Sequence, residues 1–561
     1  MTASPPNSPY AGRWVARLRG KIIAQGGTPQ QARRAAKQSR YKEKPEILYM
    51  PLPFTLPPIV AEITDALPAD QPLYLIGGAV RDLLLGRDSH DLDFGLPGDA
   101  LAIARQIADK IGAAYYPLDA ERGAARLIRL REDGTRETLD FASLRGDSLE
   151  EDLRGRDFTL NAIALDTRTQ ELYDPLGGAA DLRAKVLRAC SPSAFDDDPI
   201  RILRALRLAA NFGFQILPEA RQAMKAAVSG LERVSPERQR DELFKILEGK
   251  QAATALRALE MLGVLPHLLP ELVALKGESQ SAPHVDDVWQ HTLNTMRHLE
   301  NILAALSPTY DSSKAAELYN GLLVIKLGRY REQFAAHFAE SLTTERSPYG
   351  LLFFAALYHD IAKPLTRQVE PDGRIRFLGH EGLGAKLATE RAEKLRLSKN
   401  EIHRLDTVIR GHLRIHAMAQ RMLDGGTQAE GNARSGASSV SSRPSRRTIY
   451  RFFRDTQEAS VDLMLLSLAD LRATYEHTLP ESLWKAELDI CRILLENLWE
   501  RPEETVKPPA LLNGHEVMAA FELEPGPRVG ALLEAIREGQ ASGEILTKED
   551  ALAFGERWLA G

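Results

Sequence analysis

A chain of 561 residues is too long for one hydrophobic core, so several domains are expected, and 44% hydrophobic with 27% charged residues is ordinary globular composition. No apolar run approaches the eighteen or so residues of a membrane helix and no apolar signal-peptide core follows Met1, while two cysteines, Cys190 and Cys491, are too few for a disulfide framework or a thiolate metal site. These features predict a cytoplasmic protein with no membrane partner, and a net charge of −5 requires any polyanion to be held by local patches.

The first such patch is residues 1–45, an Arg- and Lys-rich extension whose single acid is Glu43. It reads either as a solvated, disordered tail or as a basic arm touching phosphates, and its acid-poor start also has the look of a transit peptide. From about 73 to 190 short strand-like runs ("LYLIGG", "LDFGL", "ARLIRLR", "ETLDFAS", "NAIALD") alternate with helical stretches such as "ALAIARQIADKIG", which predicts an α/β head. From about 198 onward nearly everything has helical period. The Gly/Ser-rich stretch 424–447 predicts a flexible insertion within that helical body.

Within the head, "LYLIGGAVRDLLLGRDSHDLDFGLPG" (73–98) breaks a strand at Gly77-Gly78, enters a short helix and ends at Asp91 and Asp93. Two glycines at a strand-to-helix turn let the backbone approach a ligand, and the helix start offers free N–H groups to a phosphate. Arg81, one turn in, suits a phosphate oxygen. Residues two apart on a strand share a face, so Asp91 and Asp93 converge while Leu92 and Phe94 turn to the core. Such a pair can hold two Mg²⁺ ions about 3.5–4 Å apart, suited to an in-line displacement at phosphorus.

This arrangement resembles the signature of the polymerase-beta-like nucleotidyltransferases, and the later motifs narrow the likeness to class II tRNA nucleotidyltransferases and their bacterial poly(A) polymerase relatives. "LEEDLRGRDFTLNAIALD" (149–166) is similar to the family motif whose arginine contacts the nucleotide, which implicates Arg156 and Asp157 with Asn161 in support. "DPLGGAADL" (174–182) resembles the hinge-like third motif. Asp140 in "ETLDFAS" is either a third metal carboxylate or a strand-end aspartate without that role. "DDDPIRILRALRLAA" (196–210) resembles the template helix, with Asp198 and Arg201 in the two base-reading positions. A carboxylate accepts from an exocyclic amine and a guanidinium donates to ring acceptors, so this pair can meet the pairing edge of C or A. Arg204 and Arg207, spaced by three, are placed to reach a triphosphate. Asp197 stands where glutamate is usual and Gly155 inside what is commonly an arginine run. "VSPERQRDEL" (234–243) is similar to the fifth motif, with Glu237 and Arg240 as braces.

Farther on, "HVDDVWQHTL", "LYHDIAKP", "GHEGLGAK", "RGHLR" and "LADLRA" follow the His, His-Asp, His, His, Asp order of HD-domain metal phosphohydrolases. The resemblance implies one divalent metal held by His291, His359, Asp360 and Asp470, with His380 and His412 serving a second metal or a phosphate. The tail 511–554 resembles the end of HD-containing tRNA nucleotidyltransferases, where helices hold the tRNA elbow. Asn513, Gly514 and the Gly526–Gly530 turn then serve phosphate, or the tail is a plain helical cap.

Together these features predict an α/β head (a polymerase-beta-like palm) followed by a long all-α neck, HD body and tail. The expected segments are an extension 1–45, head 46–190, neck 191–275, HD body 276–500 and tRNA-binding tail 501–561. The expected activity is template-independent addition of CCA, or part of it, to tRNA 3′ ends from CTP and ATP with Mg²⁺, metals resting on Asp91 and Asp93. Gly78, Arg81 and Arg156 then hold triphosphate and sugar. A poly(A) polymerase, or an HD phosphohydrolase with a degenerate head, is the rival. Only "LRGD" (144–147) separates "TLDFAS" from "LEEDL", whereas full CCA-adding members carry a longer segment that helps the pocket reshape from C to A. Complete CCA addition is the expectation, with CC-only or A-only addition as the alternative.

Overall fold

The computed structural model describes residues 10–38, 43–50, 56–87, 91–131, 135–311, 317–343, 346–432 and 443–560. They form two compact units, 1–231 and 232–561. The division falls inside the stretch read as a neck.

The first unit opens with a small sheet where a tail or arm was expected. Strands β1 (Arg13–Leu18), β2 (Lys21–Gly26) and β3 (Glu46–Met50) pair antiparallel in the order β2-β1-β3, with helix α1 (Pro29–Gln38) packed against them. The turn between β1 and β2 is Arg19-Gly20, both at positive φ (49° and 78°), the twist that a two-residue hairpin requires. "RWVARL" and "KIIAQG" carry strand-forming β-branched and aromatic residues, a signal that the high basic charge of the segment obscured. Residues 1–9 and 39–42 of that extension lie outside the described residues.

The head follows: α2 (Pro58–Ala66), β4 (Tyr74–Ile76), α3 (Gly78–Leu84), β5 (Asp91–Leu96), α4 (Ala100–Ile111), β6 (Ala114–Asp119), β7 (Ala124–Leu130), β8 (Arg136–Ser143), α5 (Leu149–Arg154), β9 (Ala164–Asp166), β10 (Leu172–Tyr173) and α6 (Gly178–Ala184). Its strands form one sheet in the order β10-β9-β4-β5-β8-β7-β6, and β5 with β8 is its parallel pair. Leu92, Phe94 and Leu96 of β5 and Leu139 and Phe141 of β8 join Ile59 and Ile63 of α2 and Ala104 and Ile107 of α4 in one core. The alternation of β5 leaves Asp91 and Asp93 on the opposite face.

A further pair, α7 (Ala194–Asp197) and α8 (Arg201–Phe212), follows the head in the same unit. Ile202, Leu203, Ala205, Leu206 and Leu208 of α8 are buried, whereas Arg201, Arg204 and Arg207 stay half-buried along one face.

Among its described residues the second unit is helical apart from the hairpin of Arg367–Val369 with Ile375–Phe377. Arg240, read as a brace, donates to Asp241 (2.8 Å) and to the Arg396 carbonyl (2.8 Å). The predicted insertion is partly corrected: helix Arg414–Asn432 runs through Gly425-Gly426, and Ser445 caps the next helix, Arg446–Thr456. Two helical glycines cost about 1 kcal/mol each, a penalty that an already nucleated helix can bear. Residues 433–442 lie outside the described residues. The tail helices Gly514–Phe521, Pro527–Ser542 and Lys548–Ala560 share their own core around Val517, Leu532 and Ile536. Among the described residues no helix is long and apolar enough to cross a membrane.

Candidate functional site

In the first unit the register of the parallel pair sets the chemistry. Asp93 of β5 lies beside Asp140 of β8, and Asp91 beside Thr138. Burial, then the charges of Asp140 and Asp91, push the Asp93 carboxyl up to about 6 against the pull of Arg156 and Arg204. Asp91, Asp93 and Asp140 are hard oxygen donors of the kind a divalent cation of the Mg²⁺ type takes, and its charge would relieve their repulsion. Among the described residues, however, only those of the second unit form groups of three or more with ligand atoms within 4.8 Å of one another. Both oxygens of Asp140 accept from Arg126 (2.8 and 2.9 Å), so any cation there shares Asp140 with a guanidinium.

The glycine turn lies directly against this cluster. Gly77 takes φ +67°, and a Cβ there would come 3.2 Å from Arg156 Nη1 and 3.6 Å from Asp93 Oδ2. Any side chain would fill the space between carboxylate and guanidinium. Arg156 is fixed by buried Asp152 (2.9 and 3.0 Å). Arg81 is fixed by Asp82 (2.9 Å) and by Asn161 Oδ1 (2.9 Å), with Phe212 of α8 under its guanidinium. Asn161 donates to Asp157 (3.1 Å), whose other oxygen meets Arg204 (3.2 Å). Asp157 is therefore an internal strut that ties Arg204 of α8, through Asn161, to Arg81 of α3.

Asp198 and Arg201, the residues expected to read the base, do not share one helix. Asp198 precedes Pro199, which disfavours helical backbone at the residue before it, and takes φ −149°, ψ 95° just ahead of α8. Arg201 is the first residue of α8 and donates to the Gly155 carbonyl (3.0 Å), beside Arg156. The sequence reading missed Arg126, Asp152 and Phe212. Asp152 had one available signal: it stands four residues before Arg156 on a helical pattern.

A second cluster lies in the second unit. His291 (helix Val288–Ala305), His359 and Asp360 (end of helix Pro348–Tyr358), His380, His412 and Asp470 (helix Ser460–Tyr475) are all buried. Asp360 Oδ2 lies 3.4 Å from His291 Nε2 and 3.2 Å from His359 Nε2, and Asp470 Oδ1 lies 3.0 and 3.6 Å from the same atoms. The other Asp360 oxygen faces His380 Nε2 (3.3 Å) and His412 Nε2 (4.0 Å). Ligands bonded at about 2.1 Å at right angles around one ion lie about 3.0 Å apart, so both groups fit divalent metal binding, with Asp360 shared. His359, His380 and His412 each turn Nδ1 to a backbone carbonyl (2.8, 2.6 and 2.6 Å), which directs Nε2 into the cluster. Burial opposes charge on His359, but the carboxylates of Asp360 and Asp470 push its pKa up to about 10, the same field that would favour a cation there.

Two supporting residues escaped the sequence reading. His416 lies one turn after His412 and links Asp470 Oδ2 (3.0 Å) to fully buried Glu487 (2.8 Å), which holds the second Asp470 oxygen away from the histidine pair. Lys363 lies 2.6 Å from Asp360 Oδ2. Above the cluster is a cavity of about 650 Å³ lined by Lys363, Arg374 and Arg376 together with His380, His412 and His416.

In the tail the two predicted phosphate positions differ: helix Pro527–Ser542 starts at Gly526 without a side-chain cap, whereas the start at Asn513 is capped. Asn513 and Glu516 cap each other's backbone N–H groups, a reciprocal box that leaves the start of helix Gly514–Phe521 satisfied internally.

A mixed sheet with paired carboxylates beside a glycine turn, joined to an arginine-lined helix, defines a nucleotidyltransferase head. Residues 73–188 match the family described as "Poly A polymerase head domain", residues 213–275 "Probable RNA and SrmB- binding site of polymerase A" and residues 332–474 "HD domain". The chain belongs to the class II tRNA nucleotidyltransferase family. It is 34% identical over 490 residues to an A-adding tRNA nucleotidyltransferase of Deinococcus radiodurans, covering 86% of this chain and 95% of that one. It is 33% identical over 492 residues to a CC-adding tRNA nucleotidyltransferase of Thermus thermophilus, covering 87% and 93%. A solved CCA-adding enzyme in complex with ATP has the same fold, with TM-score 0.51 at 21% identity over 90% of this chain and 94% of that one. Both the transferase and the HD domains imply use of divalent metal.

Proposed function

We propose that this chain is a CC-adding tRNA nucleotidyltransferase of the cytoplasm, using CTP and Mg²⁺. The observation that carries the choice of nucleotide is the connection between β8 and α5, five residues from Leu144 to Ser148. It is tied at each turn: Leu144 N–H donates to the Leu96 carbonyl (2.9 Å), Arg145 N–H to Asp152 (3.1 Å) and Asp147 N–H to Glu151 (2.7 Å), and Ser148 caps α5. A segment this short and held at four of its five residues has few torsions with which to reshape the pocket from C to A.

In this reading Asp91 and Asp93, with Asp140 beside them, hold the divalent ions. When bound, those ions make the RNA 3′-hydroxyl a better nucleophile and neutralise charge on pyrophosphate. The 3′-oxygen bonds to the α-phosphorus of CTP, the bond to the β-phosphate breaks, and the hydroxyl proton is lost. Gly78, Arg81 and Arg156 position triphosphate and sugar. Asp198 and Arg201 meet the pairing edge of cytosine, and Arg204 and Arg207 steady the phosphates.

The test offers purified protein three tRNAs, ending before the first C, after one C and after both, with CTP and ATP separately and together. Extension of the first two to a CC end, with no adenosine added, is the expected outcome. Action on the CC-ended tRNA alone assigns A addition instead, extension of all three to CCA assigns the complete activity, and tailing of unrelated RNA assigns a poly(A) polymerase. Asp198→Ala is expected to raise incorporation of other nucleotides relative to CTP at least tenfold while changing CTP KM less, because selection by hydrogen bonds fails when one partner is lost. Unchanged selectivity would move the base-reading role elsewhere.

A second activity, metal-dependent phosphoester hydrolysis in the second unit, is favoured by the shared Asp360 and by Lys363, Arg374 and Arg376 in the lining of the cavity above it, which also holds Glu381, Asp470 and Glu487. His291, His359, Asp360 and Asp470 hold one ion in this reading, and Lys363, Arg374 and Arg376 receive the anionic substrate.

A further inference from the structure

Residues 10–50 carry ten Lys and Arg against two Glu, a formal charge of +8 in a chain whose total is −5. Part of that charge is spent internally: Arg17 pairs with Glu46 (2.9 Å) and Arg19 with Glu43. Lys21 and Lys44 are exposed. On α1, Ala32 and Ala36 face inward, whereas Arg33, Arg34 and Lys37, spaced at three and four residues, stand exposed on the other side. The helix contains no acid, and among the described residues none of the three has an acidic partner.

This face is also held rigidly. Trp14 Nε1 donates to the Leu172 carbonyl (3.2 Å), Asp174 N–H to the Gly27 carbonyl (2.9 Å) and Gln31 Nε2 to the Pro175 carbonyl (2.7 Å), while Arg13 lies 3.5 Å from buried Asp174. The contact is close enough that a Cβ on Gly27 would sit 1.7 Å from the Asp174 oxygen. A charged tail swings freely; these cations are fixed to β10 and the loop after it, in the same compact unit as the transferase carboxylates.

We propose that the Arg33–Arg34–Lys37 face of the N-terminal module is a binding surface for the phosphate backbone of the RNA substrate, additional to the transferase site. Three cations at helical spacing with no large aromatic side chain among them suit phosphates rather than bases, so the surface adds affinity without sequence preference. The proposal rests on tRNA being the substrate, and its test is kept apart from catalysis.

The affinity of the full-length protein for a tRNA transcript lacking its CCA end is measured against salt for the natural chain, for the charge-reversed variant Arg33→Glu/Arg34→Glu/Lys37→Glu, and for the neutral variant Arg33→Gln/Arg34→Gln/Lys37→Gln. Each phosphate contact contributes about 0.7–0.9 to the slope of log affinity against log salt, so the neutral variant should lose about 2 from that slope and bind about tenfold more weakly at low salt. Addition of CMP at saturating tRNA should be unchanged. The neutral variant guards against misfolding of the reversed one. Unchanged slope and affinity in both variants would overturn the proposal, as would loss of binding to anionic phosphatidylserine vesicles with tRNA binding intact. A natural chain that bound tRNA with the full slope yet added no nucleotide would instead count against the transferase reading.

Discussion

Asp93→Ala is expected to reduce nucleotide addition by at least three orders of magnitude, a loss of about 4 kcal/mol of transition-state stabilisation or more. Asp93 is the most demanding member of its cluster: it is packed beside Asp140 at one register position of the parallel pair, touches the space above Gly77, and carries its charge against burial. Removing it takes away a donor that no neighbour can replace, since Asp140 is clamped by Arg126. Asp91→Ala is expected to follow it closely. Asp93→Asn, which keeps the shape and deletes the charge, separates cation binding from packing. Incorporation of labelled CMP is the measurement, with tRNA affinity and circular dichroism as controls that should not move. Near-normal incorporation by both alanine variants would remove the basis of the two-carboxylate mechanism.

The combined change His359→Ala/Asp360→Ala is expected to eliminate divalent metal binding by the second unit and any hydrolysis of phosphoesters there, with CMP addition within about twofold of the natural chain. Asp360 has one oxygen toward His291 and His359 and the other toward His380 and His412, so its loss disables both groups at once. It also leaves Lys363 buried without its carboxylate, a cost of about 3–5 kcal/mol for breaking such a pair. Asp360→Asn therefore accompanies it, with Mn²⁺ titration calorimetry on the full chain as the direct readout. A large fall in CMP addition with the fold intact would mean that the two sites are coupled.

Much of the transferase site was legible because strand and helix periods are short-range rules. Two aspartates separated by one residue on a strand must share a face, and arginines at 201, 204 and 207 must line one side of a helix. The His, His-Asp, His, His, Asp order was equally readable, since the six side chains it names stand at fixed places along the chain and all are buried. What the sequence hid were the residues that hold these groups in place. Arg126 reaches Asp140 from a neighbouring strand, and Glu487 reaches Asp470 through His416 from seventeen residues beyond Asp470. No local spacing encodes such contacts. Asp198 was placed on the helix because the motif is continuous, although Pro199 makes the residue before it extended. The N-terminal sheet was overlooked for a different reason: its charge drew the reading toward disorder, while the residue types of "RWVARL" and "KIIAQG" around Arg19-Gly20 described a hairpin.

The five tethered residues between β8 and α5 bear on the economy of the cell as well as on the pocket. On the proposed CC-adding reading, the protein delivers tRNA that is still unfit for aminoacylation, so the terminal adenosine has to come from a second polypeptide. Such a gene could not by itself rescue a strain stripped of all 3′-end maturation, and it would be kept or lost together with the gene that finishes its product.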